Sequence, residues 1–467
     1  MKPSVPAVVL GFQQGGLGVA RSLGRLGVPV HGVDRDPRAP GFASRYCRTA
    51  HVWDWERVPA ADTLAFLDDL GRTLGPAVLI TTTDAAAVLV AQHAEELAPR
   101  FLFPRPSAGL VRALTDKREV FRLARQFGVP TPAVMWPQSG DDVVRFLSHA
   151  SFPIVLKGIN PGRLERRTGR RLLVVHTPES LLRWYTEWED VDEPNLMLQE
   201  YIPGDDETVW MFNGLFNEWS DCVAAFTGQK MRQYPVRGGG TSLGVCAKNE
   251  TVARLTMDFM RALRYQGVLD IDYRYDARDG LYKLLDPNPR IGATFRLFVD
   301  ERGMDVARFL YFDLTGQPVW PARMREGRKR IVEDADVRSS LQRVREGSLT
   351  LRDWLVSLWG IEEAAWFAQD DRGPFWHMSR HLVGWGLRGI ARWLFAFLVR
   401  RNRTPWVKAL EHAPLQPVLD PSGSPSRHDS DHRNLKSDLS ALTARGGVPP
   451  PLARRTWRSS STPETLR

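Results

Sequence analysis

Three polar side chains stand at alternate positions in residues 283–294, KLLDPNPRIGAT: Asp286, Asn288 and Arg290. Alternate positions of a strand share one face of a sheet, so these side chains would point the same way. Mg²⁺ takes oxygen ligands such as those of a carboxylate and an amide, and a guanidinium fork suits a phosphate or carboxylate. The stretch therefore predicts a site for a metal ion and an anion where a strand leaves the core.

The preceding residues predict a hairpin that adds a second carboxylate. A loop of residues 278–280, with Gly280 in the left-handed conformation, is typical of such turns. Counting back from this loop places Asp272 opposite Asp286, with Cβ atoms about 4.5–5.5 Å apart. Two carboxylates so close repel each other unless a cation lies between them. We therefore predict Asp272, Asp286 and Asn288 as ligands of Mg²⁺; the alternative is an exposed hairpin with solvated charges.

The acidic-x-Asn-Pro-Arg stretch resembles the signature of the ATP-grasp enzymes, which usually carry Glu where this chain has Asp286. Asp272, in DIDY, matches the second acidic position of that family. The resemblance extends along roughly residues 1–315. It implies an ATP-grasp fold and an ATP- and Mg²⁺-dependent carboxylate-amine ligase, with Mn²⁺ as the alternative ion. Such a ligase activates a substrate carboxylate as an acyl phosphate, which an amine or another nucleophile then attacks.

The resemblance also assigns roles to other residues. Lys117 and Lys157 look like the two nucleotide-binding lysines, and they are two of only nine lysines in the chain. Arg290 and Lys157 are the implied catalytic residues. The implied adenine and ribose contacts lie in residues 197–210, MLQEYIPGDDETVW, and are Glu200, Tyr201, Ile202 and Glu207. A lone lysine is more often a solvated side chain, so this assignment depends on the family match.

Two further segments are candidates for the phosphate and substrate sites. The sequence YPVRGGGTSLGV resembles a stretch near the acceptor site of related ligases, which makes Gly238, Gly239, Gly240, Thr241 and Arg290 candidate substrate-binding residues. Its alternative is a mobile turn between strands. Residues 158–171 depart from the small glycine-rich loop of the family, because they contain five arginines that would either clamp an anion or be solvated.

The first glycine-rich turn, residues 11–18, GFQQGGLG, offers a different function. It follows a short apolar strand and precedes a helix, and Asp34 ends the next strand, as in a dinucleotide-binding unit. The spacing is not G-x-G-x-x-G, so the pattern is weak evidence for NAD. An NAD(P)-dependent oxidoreductase is the alternative reading. Thr82 and Asp84 follow another buried strand, at an edge that ligands favour, and are further substrate candidates.

The order of elements predicts an α/β and α+β fold with four parts. Residues 1–112 alternate strands and helices and form a Rossmann-like domain; residues 113–320 form the ATP-grasp domain. Residues 330–412 are a Trp-rich helical extension, with helix predicted over residues 349–368. Residues 413–467 are rich in Pro, Ser and Arg and are expected to be disordered.

Composition limits the functional classes. Hydrophobic residues make up 43% of the 467, and the net charge is +9, mostly from arginine. The three cysteines show no metal or disulfide spacing, and no stretch reaches a membrane span, so we expect a cytoplasmic protein. Small-molecule carboxylates and nucleophiles are the expected partners, without nucleic acid. The sequence leaves the oligomeric state open, with a homodimer as one option. Peripheral membrane contact through residues 382–400 is the basis of a third reading, a non-catalytic ATP-binding membrane-surface protein.

Overall fold

The computed structural model describes residues 5–170, 172–190 and 192–380. The predicted membrane-contacting segment 382–400, the predicted tail 413–467 and the end of the predicted extension lie outside these described residues. Among the described residues, no helix has the length and apolar character needed to cross a membrane. The secondary structure is mixed, with one parallel sheet and two sheets of mainly antiparallel strands.

The N-terminal part is a five-stranded parallel sheet. Its strands are β1 (Ala7–Leu10), β2 (Val30–Asp34), β3 (Cys47–Val52), β4 (Ala77–Thr81) and β5 (Phe101–Leu102), in the order β3-β2-β1-β4-β5. Its helices are α1 (Gln14–Gly24), α2 (Ala60–Leu74), α3 (Asp84–Gln92), α4 (Ala94–Leu97) and α5 (Ala108–Thr115). The central strand is buried on both faces because helices cover a parallel sheet on both sides. Gly18 permits close packing, since a Cβ there would lie 2.7 Å from the Phe295 ring.

A small antiparallel sheet follows, in the order β6-β9-β7-β8. Its strands are β6 (Val134–Met135), β7 (Ile154–Gly158), β8 (Leu172–Val175) and β9 (Leu196–Glu200); the nearby helices are α6 (Lys117–Gln126), α7 (Gly140–Leu147), α8 (Pro161–Thr168) and α9 (Pro178–Trp188). This sheet has a hydrophobic core of its own, with Leu156, Leu181 and Leu198 fully buried.

The arginine-rich segment between β7 and β8 is a helix, α8, and the prediction of a loop there was wrong. Asn160 caps the helix by accepting a hydrogen bond from the Arg163 backbone N–H, and Gly169 ends it in the left-handed conformation. Arg163 and Arg167 bond Asp190 at 2.6 and 3.1 Å. These two arginines are therefore engaged with a neighbouring loop of the same sheet.

The large sheet has seven strands in the order β14-β13-β10-β11-β12-β15-β16. The strands are β10 (Val209–Phe216), β11 (Cys222–Tyr234), β12 (Gly240–Cys246), β13 (Gly267–Asp276), β14 (Leu281–Asn288), β15 (Lys329–Ile331) and β16 (Ile361–Ala364). The helices are α10 (Glu250–Ala262), α11 (Val306–Leu314), α12 (Glu333–Arg345) and α13 (Leu351–Ser357). One face packs on α6 and α10, and the other shares a core with β1 and α1.

The segment after residue 328 also contributes strands, so the prediction of helix over 349–368 was only partly right. α13 ends at Ser357, and β16 pairs in parallel with β15 at the edge of the large sheet. Gly360, with a φ of +79°, separates the two elements. Beyond β16, Arg21 of α1 is fully buried; its Nε lies 2.9 Å from Asp371 and its guanidinium also donates to the Trp366 carbonyl.

Candidate active site

The predicted acidic pair is present in the β13–β14 hairpin. Asp272 and Asp286 are directly paired across the two antiparallel strands. The hairpin differs from the prediction in two ways. Asp276 pairs with Leu281, so the loop has four residues instead of three, and Leu285 is an extra residue that forms a bulge. The longer loop shifts the strand register by one residue, and the bulge shifts it back. The predicted three-residue loop was therefore wrong, while the predicted pairing of the carboxylates is confirmed.

Each carboxylate of the pair bonds a lysine from another element. Lys117, at the start of α6, places its Nζ 2.9 Å from Asp286 Oδ1. Lys230, on β11, places its Nζ 2.6 Å from Asp272 Oδ2. The negative charge of Asp286 raises the pKa of Lys117, so that lysine is a fixed cation. The two ammonium groups therefore compensate the charge of the two carboxylates. Lysine ammonium groups also commonly bind phosphate oxygens.

Lys157 approaches the same acids from the small sheet. It lies on β7, between Leu172 of β8 and Met197 of β9. Burial lowers the pKa of Lys157 to about 7; the positive charge of Lys117 lowers it further and the negative charge of Asp286 opposes the shift. The two lysines predicted from the sequence therefore both interact with Asp286, Lys117 through a direct ion pair and Lys157 through its charge.

Arg290 connects this site to the N-terminal sheet. Its Nη2 donates to Asn288 Oδ1 at 2.8 Å, and its Nε donates to Asp84 Oδ1 at 2.8 Å. Asp84 is the first residue of α3, whose N-terminus is capped by the Thr83 hydroxyl. The sequence predicted that ligands bind at this edge of the parallel sheet. The contact between Arg290 and Asp84 shows that the edge lies beside the acidic hairpin. Thr82 instead donates its hydroxyl hydrogen to the Gly11 carbonyl at 2.6 Å.

Sequence reasoning missed two polar residues of this site, Lys230 and Asp270. Asp270 pairs with Asn288 and shares the face of Asp272. Burial raises the pKa of Asp270 to about 7, and the negative charge of Asp272 adds to the shift. Asp270 and Asp272 alternate in DIDY, so the pattern indicated that both lie on one face of a strand. Lysine is scarce in this chain, and that scarcity could have identified Lys230.

The predicted adenine-binding residues form the link from β9 to the large sheet. Glu200 ends β9, and its backbone N–H donates to the Ala133 carbonyl at 2.8 Å. Ile202 is buried, and Tyr201 lies under the Arg274 guanidinium, 5.9 Å from its ring centre. Glu207 is exposed, so its carboxylate is accessible to a ligand such as a ribose.

The Glu200 side chain is held by an ionic cluster at the tip of the hairpin, which we call the hinge clamp: Glu200, Asp276, Arg278 and Lys283. Arg278 Nη2 lies 2.6 Å from both Glu200 Oε1 and Asp276 Oδ2. Lys283 Nζ lies 2.6 Å from Asp276, which is fully buried. Glu200 Oε2 also accepts from the Ala133 N–H at 3.0 Å. The clamp ties the large sheet to the strand that is predicted to bind adenine.

The predicted substrate loop is the turn between β11 and β12. Gly238 approaches the small sheet so closely that a Cβ would lie 2.8 Å from the Leu172 side chain. Gly239 has no room for a side chain because the Tyr234 backbone lies 2.0 Å from the position of its Cβ. Gly240 begins β12 and is exposed; Thr241 is buried, with its hydroxyl 3.3 Å from Met211 Sδ. The turn therefore faces the small sheet, and the Thr241 hydroxyl points towards the core.

The donor set suits a divalent cation that shares its coordination with a nucleotide. No group of three His, Cys, Asp or Glu residues with metal-binding geometry occurs in the described part of the chain. Mg²⁺ typically needs only one or two carboxylates together with phosphate oxygens and water. Asp272 and Asp286, with the Asn288 amide oxygen beside them, meet that requirement.

An acidic hairpin on the large sheet, with lysines from the small sheet, α6 and β11 beside it, is the arrangement that the resemblance to the ATP-grasp enzymes implies. Comparison with known proteins confirms the resemblance. The chain is 25% identical over 325 residues to the D-aspartate ligase of Enterococcus faecium, covering 66% of this chain and 76% of that protein. No protein-family model matches the chain.

Solved structures show the same fold. The ADP complex of N5-carboxyaminoimidazole ribonucleotide synthetase matches with a TM-score of 0.56 and 12% identity, covering 73% of this chain and 86% of that one. The biotin carboxylase domain of 2-oxoglutarate carboxylase from Hydrogenobacter thermophilus, a dimer with MgADP and bicarbonate, matches with a TM-score of 0.53 and 14% identity, covering 69% and 73%.

Proposed function

We propose that the chain is an ATP- and Mg²⁺-dependent ligase that joins a carboxylate to an amine or another nucleophile. The observation that carries this proposal is the pairing of Asp272 with Asp286 beside Lys117 and Lys157. The similarity to a D-aspartate ligase supports the ligase class. An amino acid or a related carboxylic acid is therefore the first class of substrate to test.

The reaction we propose has two balanced steps. An oxygen of the substrate carboxylate attacks the γ-phosphorus of ATP, the bond to the bridging oxygen breaks, and ADP leaves with an acyl phosphate formed. The nucleophile then attacks the acyl carbon, the bond to the phosphate oxygen breaks, inorganic phosphate leaves, and the proton that the nucleophile loses passes to phosphate or to water. Transfer of this kind depends on positioning and charge neutralisation rather than on covalent chemistry by the protein.

The residues divide between these tasks. Lys117 and Lys157 neutralise phosphate oxygens, and Arg290, held by Asn288 and Asp84, stabilises the charge that develops on the acyl phosphate. Asp272, Asp286 and Asn288 would hold Mg²⁺, which supplies charge neutralisation of the triphosphate when bound. Mn²⁺ is the alternative ion. Glu200, Tyr201, Ile202 and Glu207 would hold the nucleoside, and residues 238–241 would border the substrate.

The domain organisation is part of the same proposal. Residues 1–112 would be a Rossmann-like domain, supported by the parallel order β3-β2-β1-β4-β5. Residues 113–320 would be the ATP-grasp domain, and 330–412 the helical extension, of which α12 and α13 are described. A cytoplasmic location, a homodimer and the absence of a nucleic-acid partner complete the proposal; the biotin carboxylase neighbour is itself a dimer.

The alternative reading as an NAD(P)-dependent oxidoreductase is disfavoured by the environment of Asp34. Its carboxylate is buried and accepts hydrogen bonds from the backbone N–H groups of Phe12, at 2.5 Å, and Asp36, at 2.9 Å. These bonds hold the glycine-rich turn and leave the carboxylate poorly placed for a ribose hydroxyl. The reading as a membrane-surface protein depends on residues 382–400, outside the described residues.

Trapping the acyl phosphate with hydroxylamine tests the proposal without knowledge of the natural nucleophile. Purified protein with Mg-ATP and pools of amino acids, hydroxy acids and dicarboxylic acids should release ADP and form a hydroxamate. Asp286→Asn should lower this rate by at least about 100-fold, because one metal ligand and the partner of Lys117 are lost together. Asp258→Asn, at an exposed position of α10, is the matched control. Equal turnover by wild type and Asp286→Asn would reject the metal assignment.

A further inference from the structure

One face of α12 carries three polar residues that contact the link between β9 and β10 and the end of β11: Asp336, Ser339 and Arg343. Their spacing of three and four positions places them on one side of a helix. Ser339 donates its hydroxyl hydrogen to the Gln233 carbonyl at 2.7 Å, and Arg343 Nη2 donates to Asp206. All candidate site residues precede α12 in the sequence, so these contacts connect the predicted extension to the candidate site.

Asp206 is a buried carboxylate that is held by three donors. It is 3% exposed and lies in the short 3-10 turn Asp206–Thr208. Besides Arg343, the backbone N–H and the side-chain Nε2 of Gln233 both donate to it, each at 3.0 Å. Hydrogen bonds to a charged group are the strong ones, and here they come from two different elements. They fix the Asp206 side chain and thereby the backbone of the turn.

Glu207 follows Asp206 in this turn and is the residue predicted to bind ribose. Its side chain is exposed, while its backbone carbonyl accepts a hydrogen bond from Gln229 Nε2 of β11. The bonds to Asp206 and to this carbonyl leave the turn little freedom, so the Glu207 carboxylate has a defined direction before a ligand arrives. A group that is already held in its binding geometry loses less entropy when the ligand binds.

The position of α12 itself does not depend on Arg343. Arg232 of β11 forms a bidentate pair with Asp336 at 2.8 and 3.0 Å, and both side chains are buried. Asp336 also accepts a hydrogen bond from Trp354 Nε1 of α13 at 3.0 Å. Loss of the Arg343 guanidinium should therefore release Asp206 and leave the helix in place.

We propose that Arg343 is a positioning residue for the nucleotide, which acts through Asp206 to hold the Glu207 carboxylate in place for the ribose hydroxyls. The inference rests on the nucleotide site of the proposed function and deepens it, since it gives the extension a part in ATP binding. The effect should be confined to the ribose, because Lys117 and Lys157, the predicted phosphate ligands, lie on other elements. Arg343 should therefore act on nucleotide affinity and not on the chemical step.

Calorimetry with Mg-ATP and Mg-2′,3′-dideoxy-ATP, without an acid substrate, tests this role. Wild type should bind ATP at least about tenfold more tightly, because a hydrogen bond to a carboxylate typically contributes that much. Glu207→Ala should lose most of this preference, and Arg343→Met should reduce it at least about threefold by weakening ATP. Arg343→Lys should restore part of it, since Arg343 bonds Asp206 through one nitrogen that an ammonium can replace. Arg345→Met, at the exposed end of α12, is the control and should keep the preference.

Further variants separate a local role from a general loss of structure. Gln233→Met removes a second donor to Asp206 and should change the preference in the same direction as Arg343→Met. In the hydroxylamine assay, Arg343→Met should raise the KM for ATP and leave kcat within about twofold. Equal weakening of both nucleotides in Arg343→Met, a preference that neither variant alters, or a wild type without preference would overturn the inference. A preference that falls as expected, in a protein that forms no hydroxamate, would support the inference and reject the ligase.

Discussion

Nucleotide binding should take up a proton through Lys157. In the free protein the pKa of this lysine is lowered to about 7 by burial and by the charge of Lys117. At pH 8 about one tenth of the molecules would carry the charged form, and a bound triphosphate would restore the charge in the rest, so about 0.9 proton is taken up per nucleotide. Affinity should therefore weaken as pH rises above about 7.

Titration calorimetry measures this uptake directly. At pH 8 the triphosphate of ATP is already fully ionised, so the observed heat should change with the ionisation enthalpy of the buffer in proportion to the protons taken from it. Lys157→Arg is the decisive variant, because a guanidinium stays charged in proteins and should bind nucleotide without uptake. Lys117→Met should show reduced uptake, since removing the neighbouring positive charge raises the pKa of Lys157.

Two results would refute this reasoning. The first is a wild-type binding heat that does not depend on the buffer at pH 8. The second is an uptake that persists in Lys157→Arg, which would place the proton on another group, such as Asp270, whose pKa is also near 7.

Two further predictions concern stability and affinity. Arg21→Met should lower the free energy of unfolding by about 3–5 kcal/mol, because it leaves Asp371 buried without its partner. Arg25→Met should cost only about 1 kcal/mol or less, since its pair with Asp370 is part-exposed; both are measured by urea unfolding. Arg278→Met should weaken ATP binding by up to about fivefold in calorimetry, because the hinge clamp loses a part-exposed ion pair with Glu200 worth about 1 kcal/mol or less.

The controls for these variants lie in the same structure. Equal losses for Arg21→Met and Arg25→Met would contradict the assignment of the buried pair as the stronger of the two links between α1 and residues 370–371. For the hinge clamp, Arg118→Met alters an exposed arginine on α6 and should leave nucleotide affinity unchanged. An unaltered ATP affinity in Arg278→Met would show that the strand bearing Glu200 is positioned without the clamp.

The chemistry of the site could be predicted from residue types at short spacing. Asp286, Asn288 and Arg290 alternate, and alternation fixes the face of a strand whatever the surrounding fold. The two lysines, Lys117 and Lys157, were recognisable because lysine is scarce in this chain and because their segments match the ATP-grasp pattern. The turn signal at residues 279–280 was sufficient to place a hairpin, although not its register.

Tertiary contacts determined two features that the local sequence pattern did not predict, the bulge at Leu285 and the helix α8. The bulge at Leu285 occurs where the Leu284 backbone N–H donates to the Pro130 carbonyl, in a different part of the chain, instead of to β13. The residues of α8 form a helix whose Arg163 and Arg167 bond acids more than 20 positions away.

The sequence by itself determined which groups could bind a metal–nucleotide complex, because side-chain chemistry and the two-residue period of a strand are local properties. Only the tertiary structure determined which groups face one another. Lys230 reaches Asp272 across 42 positions of sequence, and Asp84 reaches Arg290 across 206. Pairings at such distances are set by how sheets pack and register, and no short stretch of sequence contains that information.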